Sequence, residues 1–274
     1  VTAQATEGLT TPDTLSDDLI TYYRTNGFVH VPNVLSAEEV AEFRAEAQRQ
    51  LKASEKLTWD MGGGDIAMDW VPDANKHGEI LRRLTMHPSV TGIAERLAGG
   101  PLRMFKSELL RKAGNKTNTG TPHHDDQSIL PFHSDPPALT AWVPLVDVPL
   151  ARGPMSYIPG SHRRPEPVPL DDEVANLRPL DYWSELNYQP MTTKPARVGD
   201  VCYHTDRVVH SATVNETDTD RIVLATIYMS AYARYRHNPF YSGTYLDDPD
   251  LGGMKPGELL ASRDERFPLV GSKA

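Results

Sequence analysis

Apolar positions follow two different periods along this chain, helical up to about residue 100 and strand-like from there to about residue 232. Leu15, Leu19, Ile20 and Tyr23 fall on one side of a helix that Asn26-Gly27 would stop, because glycine accepts the left-handed conformation that ends helices. Phe28 to Val34 reads as a strand. A second helix begins at Ser36, with Glu39 three residues on to complete a capping box, and Val40, Phe43, Ala47 and Leu51 line its apolar side. Another starts at Pro88, carries Val90, Ile93 and Leu97 on one side and ends at Gly99-Gly100. Residues 52–77 show no clear period. Trp59 and Trp70 flank Gly62-Gly63-Gly64 there, and the stretch is expected to be an irregular segment, a candidate lid over a pocket.

Short strands dominate beyond this point. Leu102 to Lys112, Ala138 to Val148, Met155 to Ile158, Val201 to Val209 and Arg221 to Tyr232 carry alternating or β-branched apolar residues between Gly, Pro, Asn or Asp turns. Helices first and strands after predict an α+β, mainly β chain whose second part is a double-sheet jelly roll. The expectation is one domain over residues 1–274. Its helices fall within 14–100, its jelly-roll core at about 101–232 and a covering tail at 236–274, with residues 1 to about 13 as a loose arm. The acidic, proline-rich stretch from Pro165 to Pro190 interrupts the strand series, and no internal repeat is present.

Composition narrows the class further. A chain of 274 residues is long enough for one sizeable core. With 39% hydrophobic and 24% charged residues it reads as a soluble globular protein, and no apolar run approaches the ~20 residues of a membrane span. The net charge of −9 argues against a nucleic-acid partner, since phosphate contacts need clustered Lys and Arg. Cys202 is the single cysteine, so no internal disulfide is available and a reducing compartment is compatible. Its setting in Asp200-Val201-Cys202-Tyr203 suggests core filler. The polar start, Val1 to Ser16, has no signal-peptide pattern, and a cytoplasmic location is expected.

The candidate chemistry centres on Thr121-Pro122-His123-His124-Asp125-Asp126. In an extended segment, residues two apart share a side, so His124 and Asp126 would present an imidazole and a carboxylate together. His210, in the strand-like Val208-Val209-His210, is the best candidate for a third ligand. Two His and one carboxylate on one face of a metal leave the opposite positions open, which suits non-haem Fe(II) and oxygen chemistry. Taken alone, His-x-Asp is a weak signal. Arg221 adds to it, because Asn215-Glu216-Thr217-Asp218 reads as the turn of a hairpin that would bring Arg221 almost opposite His210. A guanidinium beside the metal is a bidentate match for the far carboxylate of a keto diacid.

The ordered motifs Pro122 to Asp126, Leu139-Thr140-Ala141-Trp142-Val143-Pro144-Leu145, Ile158-Pro159-Gly160-Ser161-His162, Gly199-Asp200, His210 and Arg221 together resemble the phytanoyl-CoA dioxygenase family of Fe(II)- and 2-oxoglutarate-dependent oxygenases. The resemblance runs from about Leu109 to Tyr228. It implies a double-stranded β-helix, iron held by His124, Asp126 and His210, 2-oxoglutarate anchored by Arg221, and Trp142 lining the cosubstrate site, where it is otherwise a core residue. Two departures stand out. Where family members often carry a Ser two positions after the distal His, this chain has Ala212, with Ser211 and Thr213 on either side, so Thr213 becomes the candidate helper for Arg221. The doubled His-His-Asp-Asp also permits a rival register using His123 and Asp125 on the opposite face, although the family spacing from Pro122 favours His124 with Asp126. His162 and His204 read as structural histidines and Lys106 as an outward-facing lysine.

The reaction implied consumes O2 and 2-oxoglutarate, releases succinate and CO2, and oxidises a C–H bond, with hydroxylation as the default outcome. Asp126 stands where related halogenases have a small residue, which disfavours chlorination, whereas desaturation, ring closure and epoxidation would use the same ligands. Substrate is expected to enter past Trp59 and Trp70, the Pro165 to Pro190 insertion with Trp183, and the irregular tail. Without a basic platform for a CoA phosphate, a small metabolite or natural-product intermediate is favoured. The alternatives are a cupin-type metalloenzyme that makes no succinate and a catalytically silent jelly-roll binding protein.

Overall fold

The computed structural model describes residues 8–62, 64–115, 117–164, 179–244 and 248–271. The first helix, α1 (Asp17–Asn26), is capped by Ser16, whose hydroxyl accepts the Leu19 amide; it ends at Gly27, which at φ 84° donates its own amide to the Tyr23 carbonyl. Helix α2 (Ala37–Ala53) carries the Ser36/Glu39 capping box. Two further helices follow, α3 (Glu79–Thr85), which the periodicity did not signal, and α4 (Pro88–Ala98), with proline in its first turn.

Seven antiparallel strands form the large sheet. In spatial order they are β1 (Phe28–Val31), β10 (Val201–Thr205), β7 (Leu139–Pro144), β12 (Arg221–Ser230), β4 (Leu102–Lys112), β3 (Ile66–Pro72) and β2 (Leu57–Asp60). A smaller sheet has the order β5 (Thr121–His124), β11 (His210–Ala212), β8 (Met155–Tyr157) and β9 (Thr192–Thr193), and β6 (Phe132–His133) pairs with β13 (Arg234–Tyr235). The structure is therefore a mixed one, with helices and antiparallel sheets.

One face of the large sheet packs against the helices. Val29, Leu139, Ala141, Val143, Leu224 and Tyr228 of the sheet join Phe43, Leu84, Ile93 and Leu97 of the helices in a single buried cluster. Side chains of this size stabilise by about 1.5–3 kcal/mol each when fully buried. Two buried tyrosines also stitch the layers: Tyr203 donates to the Val90 carbonyl at 3.0 Å and Tyr228 to the Thr85 carbonyl at 2.7 Å. Strand alternation sends the remaining side chains, among them Trp142, His204, Arg221 and Ala225, toward the small sheet. β7 is buried along its whole length because both of its faces are covered.

Several expectations need correction. Residues 57–72 form a strand hairpin on the edge of the large sheet, not an irregular lid, pairing Leu57 with Trp70 and Trp59 with Met68. The run Val201 to Val209 divides, since β10 stops at Thr205 and the chain turns into β11 of the other sheet. His210 and Arg221 do not share a hairpin: β11 pairs with β5 and β8, and β12 with β4 and β7. The ladder between β12 and β4 is irregular at Ile227/Tyr228, where Ile227 faces Lys106 and Tyr228 faces Met104, leaving Phe105 as an extra residue in β4. Of the Pro165 to Pro190 insertion, residues 165–178 lie outside the described part. The remainder forms a short helix, Pro179–Tyr182, and a 3-10 turn, Ser184–Tyr188. Among the described residues no helix is long and apolar enough to cross a membrane.

Candidate metal centre and cosubstrate pocket

β5 and β11 are neighbours, and their register sets His124 directly across from His210, with ring centroids 4.2 Å apart. Asp126 lies two residues past the end of β5, in a turn where its carbonyl accepts the Ile129 and Leu130 amides, both at 3.0 Å. The structure brings these three residues together: one ligand atom from each lies within 4.8 Å of the others. Asp126 Oδ1 is 3.7 Å from His210 Nε2 and 4.0 Å from His124 Nε2.

Hydrogen bonds on the far side of each ring fix its tautomer. His124 Nδ1 meets the Pro122 carbonyl at 2.8 Å and His210 Nδ1 the Val208 carbonyl at 3.0 Å. A carbonyl only accepts, so each Nδ1 carries the hydrogen and each Nε2 lone pair points at the cluster, as metal-ligating histidines require. Burial, and then the neighbouring His124 and His204, hold His210 well below its ordinary pKa, so it is the neutral, ligating form. Burial alone would raise Asp126, but the His210, His204 and His124 imidazoles outweigh it and hold the carboxyl well below its usual range. The result is a carboxylate and the Nε2 edges of two imidazoles facing one point.

His123 and Asp125 are placed elsewhere. His123 is half-buried with Nε2 3.4 Å from the Met191 sulfur. Asp125 is buried against Arg164, which donates to it at 2.7 Å, and it accepts from the Ser128 amide at 2.9 Å. This pairing anchors the turn that carries Asp126.

Beside the cluster lies a cavity of about 90 Å³ whose wall includes Thr121, Trp142, Ser211, Ala212 and Arg221. Arg221 is 1% exposed. Its Nη1 donates to the Gly153 carbonyl at 2.8 Å, its Nε has no partner among the described residues, and its guanidinium sits 5.7 Å from the centre of the Trp142 ring. Burial pulls its pKa down to about 10, which still leaves it charged at neutral pH. Among the described residues no carboxylate pairs with it. A buried cation without a counter-charge is costly, and the neighbouring groups do not relieve it. Burial, followed by Arg221 itself, pushes Lys112 down to about 6, so its amine is neutral at pH 7 and donates to the Ala67 and Thr119 carbonyls at 2.6 and 2.7 Å. Thr121 Oγ1 and Trp142 Nε1 are likewise buried without partners among the described residues. One cation and two orphaned polar atoms around one small cavity fit a bound carboxylate. Gly153 has φ 69°, and a Cβ there would come 2.7 Å from the Thr213 carbonyl, so glycine is required where the chain supplies the carbonyl that holds Arg221.

Thr213 itself does not join this group. The β11–β5 register slips between His210 and Ala212, both Ser211 and Ala212 line the cavity, and Thr213 falls past the strand end, exposed. Thr121 was missed because threonine in a strand carries no signal of its own; its register opposite Ala212 is visible only in the folded sheet.

A larger cavity of about 420 Å³ meets the first at Met68, Glu108, His124, Asp126 and Ile227. Its wall is mainly apolar and aromatic, including Trp59, Trp70, Phe105, Leu130 and Tyr241. Trp59 stands edge-on to His124 at 5.3 Å, and Trp70 is buried with its indole Nε1 unpartnered among the described residues. Lys106, expected to face outward, is buried in this wall and pairs with Asp73 at 3.3 Å and Asp248 at 3.2 Å. Trp183 lines neither cavity. It covers Arg164, whose guanidinium is 4.3 Å from its ring, and packs with Ile158, Leu186 and Val209.

The family model for phytanoyl-CoA dioxygenase matches residues 23–223. The peroxisomal phytanoyl-CoA dioxygenase of Mus musculus is 23% identical over 265 residues, covering 84% of this chain and 77% of the relative. The ectoine dioxygenase of Bordetella parapertussis is 25% identical over 238 residues, covering 80% and 76%. Among solved structures, the non-heme alpha ketoglutarate dependent carbocyclase SnoK from nogalamycin biosynthesis superposes with a TM-score of 0.85 at 38% identity, over 96% of this chain and all of that one. The epimerase SnoN in complex with Fe3+, alpha ketoglutarate and nogalamycin RO superposes with a TM-score of 0.81 at 41% identity, over 92% and 97%.

Proposed function

The chain belongs to the phytanoyl-CoA dioxygenase family and is an Fe(II)- and 2-oxoglutarate-dependent dioxygenase; from that premise we propose that His124, Asp126 and His210 hold the iron and that Arg221, Trp142 and Thr121 hold the cosubstrate. The two sheets are then the halves of a double-stranded β-helix, residues 101–232 its core in a single domain, and the cavity between them the site. The observation that carries the cosubstrate assignment is the buried Arg221 guanidinium, charged and without a carboxylate partner among the described residues, in a cavity adjoining three converging ligand atoms. Bound together, iron and 2-oxoglutarate supply activation of O2 and oxidation of a C–H bond, with succinate and CO2 released.

The protein's own groups perform the remaining work. Two Nδ1–H···O=C bonds hold the imidazole lone pairs inward. Arg221 fixes the far end of the diacid, with the Thr121 hydroxyl and Trp142 indole available to its oxygens. The aromatic wall of the larger cavity places substrate next to His124 and Asp126 and keeps water out.

For the substrate, a bulky and largely apolar natural-product intermediate is the reading best supported by the cavity of about 420 Å³ and by the likeness to two proteins of nogalamycin biosynthesis. The cavity's lysine is neutralised by two aspartates, which disfavours an anionic substrate. Because those neighbours are described as a carbocyclase and an epimerase, hydrogen removal without net oxygen transfer stands beside hydroxylation as an outcome. Anaerobic Fe(II) titration in the presence of 2-oxoglutarate, followed by the weak visible band of their complex, tests the site. Succinate release and the mass change of product test the reaction. No visible band and no succinate with any ring-system substrate would overturn this reading.

A further inference from the structure

Three imidazoles crowd Asp126, and the groups at their Nδ1 atoms divide them into two kinds. His124 and His210 face backbone carbonyls there and turn lone pairs toward the cluster. His204 faces the Tyr157 hydroxyl instead, at 3.3 Å, and a hydroxyl can donate. With Tyr157 O–H donating to Nδ1, the hydrogen of His204 sits on Nε2, which lies 3.4 Å from Asp126 Oδ2. The same oxygen accepts from Thr140 Oγ1 at 2.9 Å. Asp126 is thus divided: Oδ2 faces two donors, and Oδ1 faces the two ligand histidines. His204 stands outside the set whose ligand atoms all lie within 4.8 Å of one another.

We propose that His204 is a positioning residue, not a ligand, and that the chain Tyr157, His204, Asp126 reserves one carboxylate oxygen so that the other alone is offered to the metal. The inference rests on the iron-site reading above. Every member is held in place: His204 and Tyr157 are almost fully buried, and the Tyr157 ring stacks on Phe28 of β1 at 4.3 Å. An aspartate with both oxygens free can rotate or chelate, and either would occupy space that cosubstrate and O2 need. Thr140 and His204, on the adjacent strands β7 and β10 in direct register, block both movements.

Co(II) affinity, measured by calorimetry with the purified full chain, separates the possibilities. Loss of an outer hydrogen-bond partner costs roughly 10–100-fold in metal affinity. His204→Leu is expected to weaken Co(II) by that range, His204→Gln, which keeps an N–H donor, to recover most of it, and Tyr157→Phe to fall between. The visible absorption of bound Co(II) is expected to shift in His204→Leu and Tyr157→Phe as the carboxylate changes its mode of binding. Affinity within about twofold of wild type in His204→Leu, or complete loss of binding as in His124→Ala, would overturn the proposal, the second outcome by making His204 a ligand. If His204→Leu does not fold, Tyr157→Phe decides, since it removes only a hydroxyl: unchanged affinity and spectrum refute the relay. Failure of the wild-type chain to bind Co(II) or Fe(II) at all would instead remove the iron site on which the relay depends.

Discussion

Thr121 stands directly across the strand ladder from Ala212, and its hydroxyl is buried without a partner among the described residues. The serine expected at 212 from family resemblance is missing, and a hydroxyl is offered to the same cavity from the facing strand. Thr121→Val is expected to raise the 2-oxoglutarate Kd by roughly 2- to 10-fold, the worth of about one neutral hydrogen bond. Arg221→Met removes a charged anchor worth about 1.5–3 kcal/mol, roughly 10- to 100-fold in Kd. Thr213→Val is expected to change nothing. Anaerobic titration of the iron-loaded protein reads all three.

The choice between the two His-x-Asp registers predicts a sharp contrast. His124→Ala and His210→Ala are expected to abolish metal binding and succinate formation, while His123→Ala retains both. Asp125 acts through stability: Arg164→Met leaves a buried carboxylate unpaired and is expected to cost about 3–5 kcal/mol in urea unfolding. Turnover that survives His124→Ala and is lost in His123→Ala would reverse the assignment.

Trp59 and Trp183 have different surroundings and different expected phenotypes. Trp59 lines the larger cavity beside His124, so Trp59→Ala is expected to raise substrate KM by on the order of 30-fold, the effect of losing an aromatic anchor. Succinate release uncoupled from product is expected to increase with it. Trp183→Ala removes the cover over Arg164 and is expected to lower Tm with substrate KM unchanged.

The difference between those two tryptophans shows what local pattern could and could not reveal. Helices with strong punctuation, such as Ser36/Glu39 at one end and Gly27 or Gly99 at another, were legible because caps are local chemistry. His124 and Asp126 were read as two positions of one strand; β5 ends at His124 and Asp126 lies in the turn that follows, but the closeness of two residues separated by one along the chain is local too. The partner sheet of a strand is not. Residues 210 and 221 looked like one hairpin, yet the connection carries the chain from the small sheet to the large one, and the two side chains meet across the cavity between sheets. Lys106 was misjudged for a related reason: its two aspartates, Asp73 and Asp248, come from distant parts of the chain.

A pH dependence of stability follows from His30. It sits opposite Cys202 in the β1–β10 ladder and bonds Asp200 at 2.8 Å. Burial opposes its charge, but the Asp200 and Cys202 contacts prevail and push its pKa up from 6.5 to about 10. Because the folded value is the higher one, its stabilisation is complete below pH 6.5 and is lost as pH rises toward 10. Asp200 is held below its ordinary value of 3.8, so its share is present above that pH and is lost in acid. Thermal midpoints are expected to fall from pH 6.5 to 10, and His30→Gln to flatten that slope. An identical slope in the variant would refute the assignment.

The extra residue at Phe105 gives β4 two allegiances. On one side of it Leu102 and Met104 belong to the helix-packed core, and on the other Lys106, Glu108 and Leu110 face the cavities. Even-numbered positions of a single strand thereby serve as structural spine at one end and as chamber wall at the other. A regular strand of the same residues, without that offset, would turn the wall inside out, giving the chamber Ser107 and Leu109 and forcing two charges into the oily layer beneath the helices. With the offset in place, the strand can exchange the residues that greet a new substrate and leave its foundations undisturbed.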